Sequence, residues 1–302
     1  MSKFCALKSA GMGNRLKIYV SYLARYDEVM VEKNEDRYLF PDFKSCDREE
    51  DIKENAWTHS GWRLLVDENE EDYIEKYKTI DQLYNDTPQY FIDKYVPIWQ
   101  KLKINPDIKE YIDDFTKEWD KDDMVGIHLR TNFPPVDDGT RSVWVDFNGF
   151  EKEVQKYSSS QKFFLASDWK PAIDYYTLKY PNQIITHPKN DIVRHDSVDN
   201  FQQSADSFID MYLLSQCYKK QIFTFGTTFS ECSWWFGGCR AEVVMPTFWD
   251  KVPKDFYDNV YNLKNTMYNL NGEQVAAEGC RTYAPLNVGD NYKIKDWKVI
   301  YG

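Results

Sequence analysis

The sequence predicts an α/β fold with parallel layers, and three observations carry that expectation. From Met124 to Met245, short apolar runs alternate with stretches of helical period in a steady strand, helix, strand order. Two of the runs lead into polar residues suited to holding a ligand: Gly126-Ile-His-Leu-Arg130, and Ile222 to Phe225 followed by Thr227-Thr-Phe-Ser230. A further apolar run, Phe4 to Leu7, leads through Gly11-Met-Gly13 into an amphipathic stretch, again strand, glycine turn and helix.

In order, the pattern places a first strand at Phe4 to Leu7 and a tight turn at Gly11-Met-Gly13. A helix follows from Gly13 or Asn14 to about Tyr26, then a strand at Glu28 to Val31. Residues 33–60 are charged and irregular. Residues 67–117 have helical patterns that Pro88, Pro97 and Pro106 should break. A polar turn at Asp120-Lys-Asp-Asp123 opens the strand Met124 to Leu129, and Asn132-Phe-Pro-Pro-Val-Asp-Asp-Gly139 reads as a loop. Then come a helix near 148–157, a strand Lys162 to Ala166, a helix near 169–180 and a strand Gln183 to Thr186. A helix at 204–219, a strand Ile222 to Phe225, a helix Ser230 to Gly237 and a strand Glu242 to Met245 complete the series. The tail 263–302 is polar and Asn-rich, with no pattern of its own. A domain boundary is expected near 118–123, giving an N-terminal domain 1–120 and a C-terminal domain 121–302.

Bulk composition limits the function. Of 302 residues, 42% are hydrophobic and 17% aromatic, which is enough for a large packed core. With 38 Lys plus Arg against 49 Asp plus Glu, the net charge of -11 opposes non-specific nucleic-acid binding, so an anionic ligand needs a local cationic pocket. No apolar run approaches the roughly 18 residues of a membrane span, and Met1-Ser-Lys-Phe-Cys-Ala-Leu does not read as a signal peptide. A soluble, cytoplasmic protein is expected. Cys5, Cys46, Cys217, Cys232, Cys239 and Cys280 are scattered, with no disulfide framework and no paired CxxC, which fits buried free thiols.

The candidate chemistry sits at element ends. His128 and Arg130 alternate onto one face at the carboxyl end of a strand, where open α/β sheets bind ligands. A guanidinium fork grips a diphosphate well; the plain alternative is a structural ion pair for Arg130 and a core histidine. Asp168 follows an apolar run and precedes a helix, so it either caps that helix or serves a ligand. Asp210 lies mid-helix, either on a solvated edge or facing a cleft, where a carboxylate matches the paired N–H donors of guanine. Thr227, Thr228, Phe229 and Ser230 stand between strand and helix, where hydroxyls and backbone N–H groups can cradle phosphate or merely cap. Trp234 and Trp235 are either core or a sugar wall. Gly11, Gly13, Asn14 and Arg15 lack the third glycine of a dinucleotide fingerprint, though glycine still permits close approach. Asp120-Lys-Asp122 has a DxD form but lies at the wrong end of its strand and reads as a solvated turn. No histidine spacing suggests a metal site.

Taken together, these blocks resemble the fucosyltransferase superfamily that contains α1,2-, α1,6- and protein O-fucosyltransferases. Gly11-Met-Gly-Asn-Arg15 looks like its Gly-x-Gly-Asn turn, Gly126-Ile-His-Leu-Arg130 its HxR motif, and Phe164-Leu-Ala-Ser-Asp168 its Phe-x-Ser-Asp block. Asp210 to Gln216 with Thr227 to Ser230 and Trp234-Trp235 looks like its last block. The resemblance implies a GT-B fold, two Rossmann-like domains facing across a cleft. It implies an inverting, metal-independent transferase with no cofactor, taking GDP-L-fucose as donor and a hydroxyl of a glycan or glycoprotein as acceptor. By the same resemblance Arg130 holds the diphosphate, and His128 and Asp210 read the guanosine. Thr227, Thr228, Phe229 and Ser230 bind phosphate and donor, and Gly13, Asn14 and Arg15 line the cleft from the other side. Asp137 or Asp138 is the candidate base, because α1,6 members place an acid about ten residues past the motif histidine. Here Arg130-Thr131 replaces the Arg-Arg of the α1,2 and α1,6 members, and Asn132 the acid that follows there, whereas protein O-fucosyltransferases also show a single arginine. The acceptor class therefore stays open. The alternatives are a transferase of the same architecture using GDP-mannose, GDP-rhamnose or a UDP sugar, and a non-catalytic carbohydrate-binding protein.

Overall fold

The structure, a computed structural model, describes residues 3–5, 11–26, 29–32, 36–46, 64–65, 79–80, 83–130, 147–168, 170–189, 201–224, 227–246, 266–268 and 274–276. It is mixed α/β with parallel sheets, and it divides into two compact units. One comprises Met1–Met124, Ser197–Gln221 and Thr227–Val243; the other comprises Val125–Asp196, Ile222–Gly226 and Val244–Gly302.

In the first unit, β1 (Lys3–Cys5), β2 (Val29–Glu32) and β3 (Lys44–Cys46) form a parallel sheet in that order, with α1 (Met12–Leu23) connecting the first two strands. Helix α1 buries Ile18, Tyr19 and Tyr22 against Val29, with Phe43 and Leu102 packed alongside. A short helix α2 (Asp36–Leu39) leads into β3, and β4 (Leu64–Leu65) pairs antiparallel with β5 (Thr79–Ile80). Pro88 caps α3 (Gln89–Lys101), and Pro106 occupies the first turn of α4 (Pro106–Phe115), where its missing N–H costs nothing. The Asn105 side chain accepts the Asp107 N–H at 2.9 Å to close that cap.

Pro97, expected to break the chain's helical run, lies inside α3 instead. The helix persists because Phe91, Tyr95 and Trp99 recur every four residues and are all buried, so tertiary packing outweighs the lost hydrogen bond. Two later helices complete this unit, α7 (Phe201–Leu214) and α8 (Thr228–Phe236). Their interior is aromatic: Trp99 meets Phe236 edge-on at 4.8 Å, Tyr95 meets Trp235 at 6.1 Å, and Phe40 meets Phe208 at 5.0 Å.

The second unit contains β6 (Val125–Leu129), β7 (Phe163–Ser167) and β8 (Ile184–Ile185), which belong to a five-stranded sheet with β9 (Lys220–Phe223) and β10 (Glu242–Val244). Its order is β10-β9-β6-β7-β8. β6, β7 and β8 run parallel, with α5 (Phe147–Val154) and α6 (Lys170–Lys179) as their crossovers. β6 and β7 are buried along their whole length, as a parallel strand covered on both faces must be. Val125, Ile127 and Leu129 face Phe150, Val154 and Tyr176 in one cluster. The chain progresses from β6 toward β8 on one side and places β9 on the other. Strand order thus reverses at β6, and a ligand crevice is expected at the carboxyl end of such a strand. In the tail, where the sequence gives no pattern, β11 (Thr266–Tyr268) and β12 (Gln274–Ala276) pair antiparallel.

The hexad of cysteines contributes no disulfide among the described residues: Cys217 and Cys232 are buried and free, and Cys239 is partly buried and free. Burial pushes all three thiols up from their ordinary range, which keeps them protonated and inert.

Candidate functional site

The carboxyl end of β6 carries the first group of residues. His128 is buried to 4% exposure, while Arg130 just beyond the strand keeps 29% of its side chain exposed. Arg130 Nη1 meets Asp168 Oδ2 at 3.1 Å, and Asp168 stands immediately after the parallel neighbour β7. The sequence left Arg130 between a structural ion pair and a ligand clamp, and the geometry accommodates both. One carboxylate engages one edge of a group that has five N–H donors, fixing its angle and leaving the rest of the fork able to bond two phosphate oxygens.

The backbone beneath this pair is held by hydroxyls. Ser167 Oγ donates to the Leu129 carbonyl at 2.8 Å, and the Arg130 N–H donates to Thr224 Oγ1 at 2.9 Å. Sequence reasoning passed over both. Thr224 is the polar residue in the run Ile222 to Phe225, and that interruption was the available signal. Asp137 and Asp138, the candidate bases, lie outside the described residues, as do Thr131 and Asn132.

In the other unit, the structure brings the N-terminal glycine segment together with Thr227–Ser230. Helix α1 begins at Met12, not at Gly13 or Asn14, because the Gly11 carbonyl already accepts the Asn14 and Arg15 N–H groups at 3.0 and 3.2 Å. Gly11 is therefore the cap and Gly13 a helical residue. A Cβ on Gly13 would stand 3.0 Å from Phe229 N and from Thr228 C and O, all backbone, so any other residue here would push the two helix starts apart by a few tenths of an ångström.

Likewise α8 begins at Thr228, two residues earlier than the sequence suggested, because the Thr227 side chain accepts the Ser230 N–H and supplies the cap. Thr228 Oγ1 donates to Asn14 Oδ1 at 2.6 Å, Cys232 Sγ donates to the Gly13 carbonyl at 3.3 Å, and Lys17 Nζ pairs with Glu231 Oε2 at 2.5 Å. The first turns of two helices thus meet here. Arg15 is half-buried on α1, as are Thr228 and Phe229 on α8; Ser230 is buried.

Asp210 does not occupy a solvated edge: at 4% exposure it is buried in the middle of α7. Tyr111 of α4 has its pKa raised, first by burial and then by the nearby charges of Asp206 and Asp210, which places these acids on the α4 side of α7. Trp234 and Trp235 belong to the core. Trp234 Nε1 donates to the Ala241 carbonyl at 3.0 Å, and Trp235 Nε1 donates to Glu231 Oε1 at 3.3 Å. Asp120 and Asp122 are exposed on the turn before β6, in keeping with a solvated turn.

No protein-family model matches the chain, and no curated protein matches it. Among solved structures the chain is similar to the fucosyltransferase NodZ from Bradyrhizobium, at 16% identity over 77% of this chain and 92% of that one, with a TM-score of 0.45. It is also similar to POFUT1 in complex with GDP-fucose, at 11% identity over 81% of this chain and 98% of that one, TM-score 0.44. A third is a mutant of Arabidopsis thaliana FUT1 in complex with GDP, at 11% identity over 78% of this chain and 69% of that one, TM-score 0.40. The three solved structures named here are fucosyltransferases. No helix among the described residues is long and apolar enough to cross a membrane.

Proposed function

We propose that the chain is an inverting, metal-independent glycosyltransferase that moves L-fucose from GDP-L-fucose to a hydroxyl of a glycan or glycoprotein. The observation that supports this reading best is Arg130: a partly exposed guanidinium, oriented by Asp168, at the carboxyl end of the strand where sheet order reverses. In the reaction the bond between the sugar's anomeric carbon and the β-phosphate oxygen breaks. Positive charge develops on the carbon and negative charge on the departing diphosphate. Arg130 stabilises that negative charge in place of a metal ion. The acceptor oxygen forms the new bond from the opposite face and gives its proton to Asp137 or Asp138. His128, near the end of the same strand, is the partner for the nucleoside part. The sequence resemblance assigns Thr227–Ser230 to the donor and Asp210 to its base.

A thermal-shift panel of GDP, UDP and their sugars tests the donor class. At a ligand concentration about 100 times its dissociation constant, binding adds roughly 2.7 kcal/mol of stability, which is a readily measured rise in Tm. GDP and GDP-fucose should raise Tm while UDP and UDP sugars leave it unchanged. A shift with UDP and none with GDP removes the fucose reading.

A further inference from the structure

We infer that Thr224 is a positioning residue for the diphosphate-binding arginine, a clasp that fixes the backbone from which Arg130 projects. This rests on the function proposed above. Thr224 is fully buried just past β9, and its hydroxyl does two things at once. It accepts the Arg130 N–H at 2.9 Å and donates to the His128 carbonyl at 3.2 Å, a carbonyl that also accepts the Thr224 N–H at 3.0 Å.

A regular parallel ladder repeats every two residues along each strand. Here Lys219 N–H donates to Met124 O and Thr224 N–H to His128 O, so β9 advances five residues while β6 advances four. Between these two bonds the pairing slips by one residue, the two-against-one count of a bulge, and such slips re-aim a side chain. After the slip the Arg130 N–H is taken by a side-chain oxygen, so the donor is satisfied where the ladder ends. From the opposite flank Ser167 Oγ holds the Leu129 carbonyl at 2.8 Å. Consecutive backbone groups of His128, Leu129 and Arg130 are thus pinned by hydroxyls from both neighbouring strands. The Asp168 carboxylate that sets the guanidinium's angle follows Ser167 directly.

Valine matches threonine in shape but can neither accept the Arg130 N–H nor hold the His128 carbonyl. Thr224→Val should weaken GDP binding by about tenfold or more, since a displaced binding group loses affinity steeply with small shifts. Amide exchange in the Leu129–Arg130 segment should quicken in the same variant. Thr224→Ser, which keeps the hydroxyl, should restore both to near wild type. Ser167→Ala should move both in the same direction by less, and it serves as the second variant if Thr224→Val does not fold. Unchanged exchange in Thr224→Val, or faster exchange with wild-type GDP affinity, overturns the positioning role. Failure of the wild-type protein to bind GDP removes the underlying function instead, and the exchange measurement tells the two failures apart.

Discussion

Arg130→Ala is expected to reduce fucosyl transfer by about 100- to 1,000-fold in kcat/KM, the cost of about 3–4 kcal/mol seen when one preorganised donor to a developing negative charge is removed. The loss should appear in kcat as well as in donor affinity, because the charge on the diphosphate grows as the sugar departs. Stability should change little. The Arg130–Asp168 pair is partly exposed, and such pairs contribute at most about 1 kcal/mol after solvent screening. Arg130→Lys is expected to fall between wild type and alanine, since lysine restores a point charge but not the planar fork. GDP release from GDP-fucose with acceptor present, read beside a melting curve, checks both parts. Turnover retained in Arg130→Ala would remove the role given to this residue.

The second large effect is on folding. Lys17 and Glu231 are 0% and 2% exposed, and their ion pair joins α1 to α8 within one unit. Lys17→Met removes the ammonium from a buried carboxylate, and breaking a buried pair from one side costs about 3–5 kcal/mol. Glu231→Leu should cost at least as much, because it removes the carboxylate from a buried ammonium and also deprives the Trp235 indole of an acceptor. The double variant Lys17→Met/Glu231→Leu should be less damaging than the sum of the two, with a coupling energy of about 1–3 kcal/mol in urea unfolding. A coupling near zero would mean the pair does not bind the helices together. Because the same helices bring Asn14 to Thr228, the single variants should also blunt the GDP-induced rise in Tm.

The sheet of the second unit was legible because a parallel strand buried on both faces reads as an unbroken apolar run. The expected strands at Met124 to Leu129 and Lys162 to Ala166 lie within one residue of Val125–Leu129 and Phe163–Ser167. Helix starts were less legible. Gly11 and Thr227 both act as caps through local hydrogen bonds, and a cap glycine looks like a turn glycine until the acceptors are known. Pro97 misled for the opposite reason, since a strong local rule gave way to the burial of Tyr95 and Trp99. Lys17 offered no signal. It sits between Leu16 and Ile18, and its partner is 214 residues away, so only the folded chain reveals why a charge belongs there. In the candidate site, His128, Arg130 and Asp168 were legible from their strand-end positions. The hydroxyl clasp of Thr224 was not, because it arises from a slip in strand pairing that no sequence period encodes.

Crystals of the protein soaked with GDP test the central claim most directly. The diphosphate oxygens should lie about 2.7–2.9 Å from the Arg130 guanidinium nitrogens, the spacing of a charge-assisted bond, with Asp168 still bracing the fork. A nucleotide bound elsewhere, with Arg130 in contact with Asp168 alone, would contradict it.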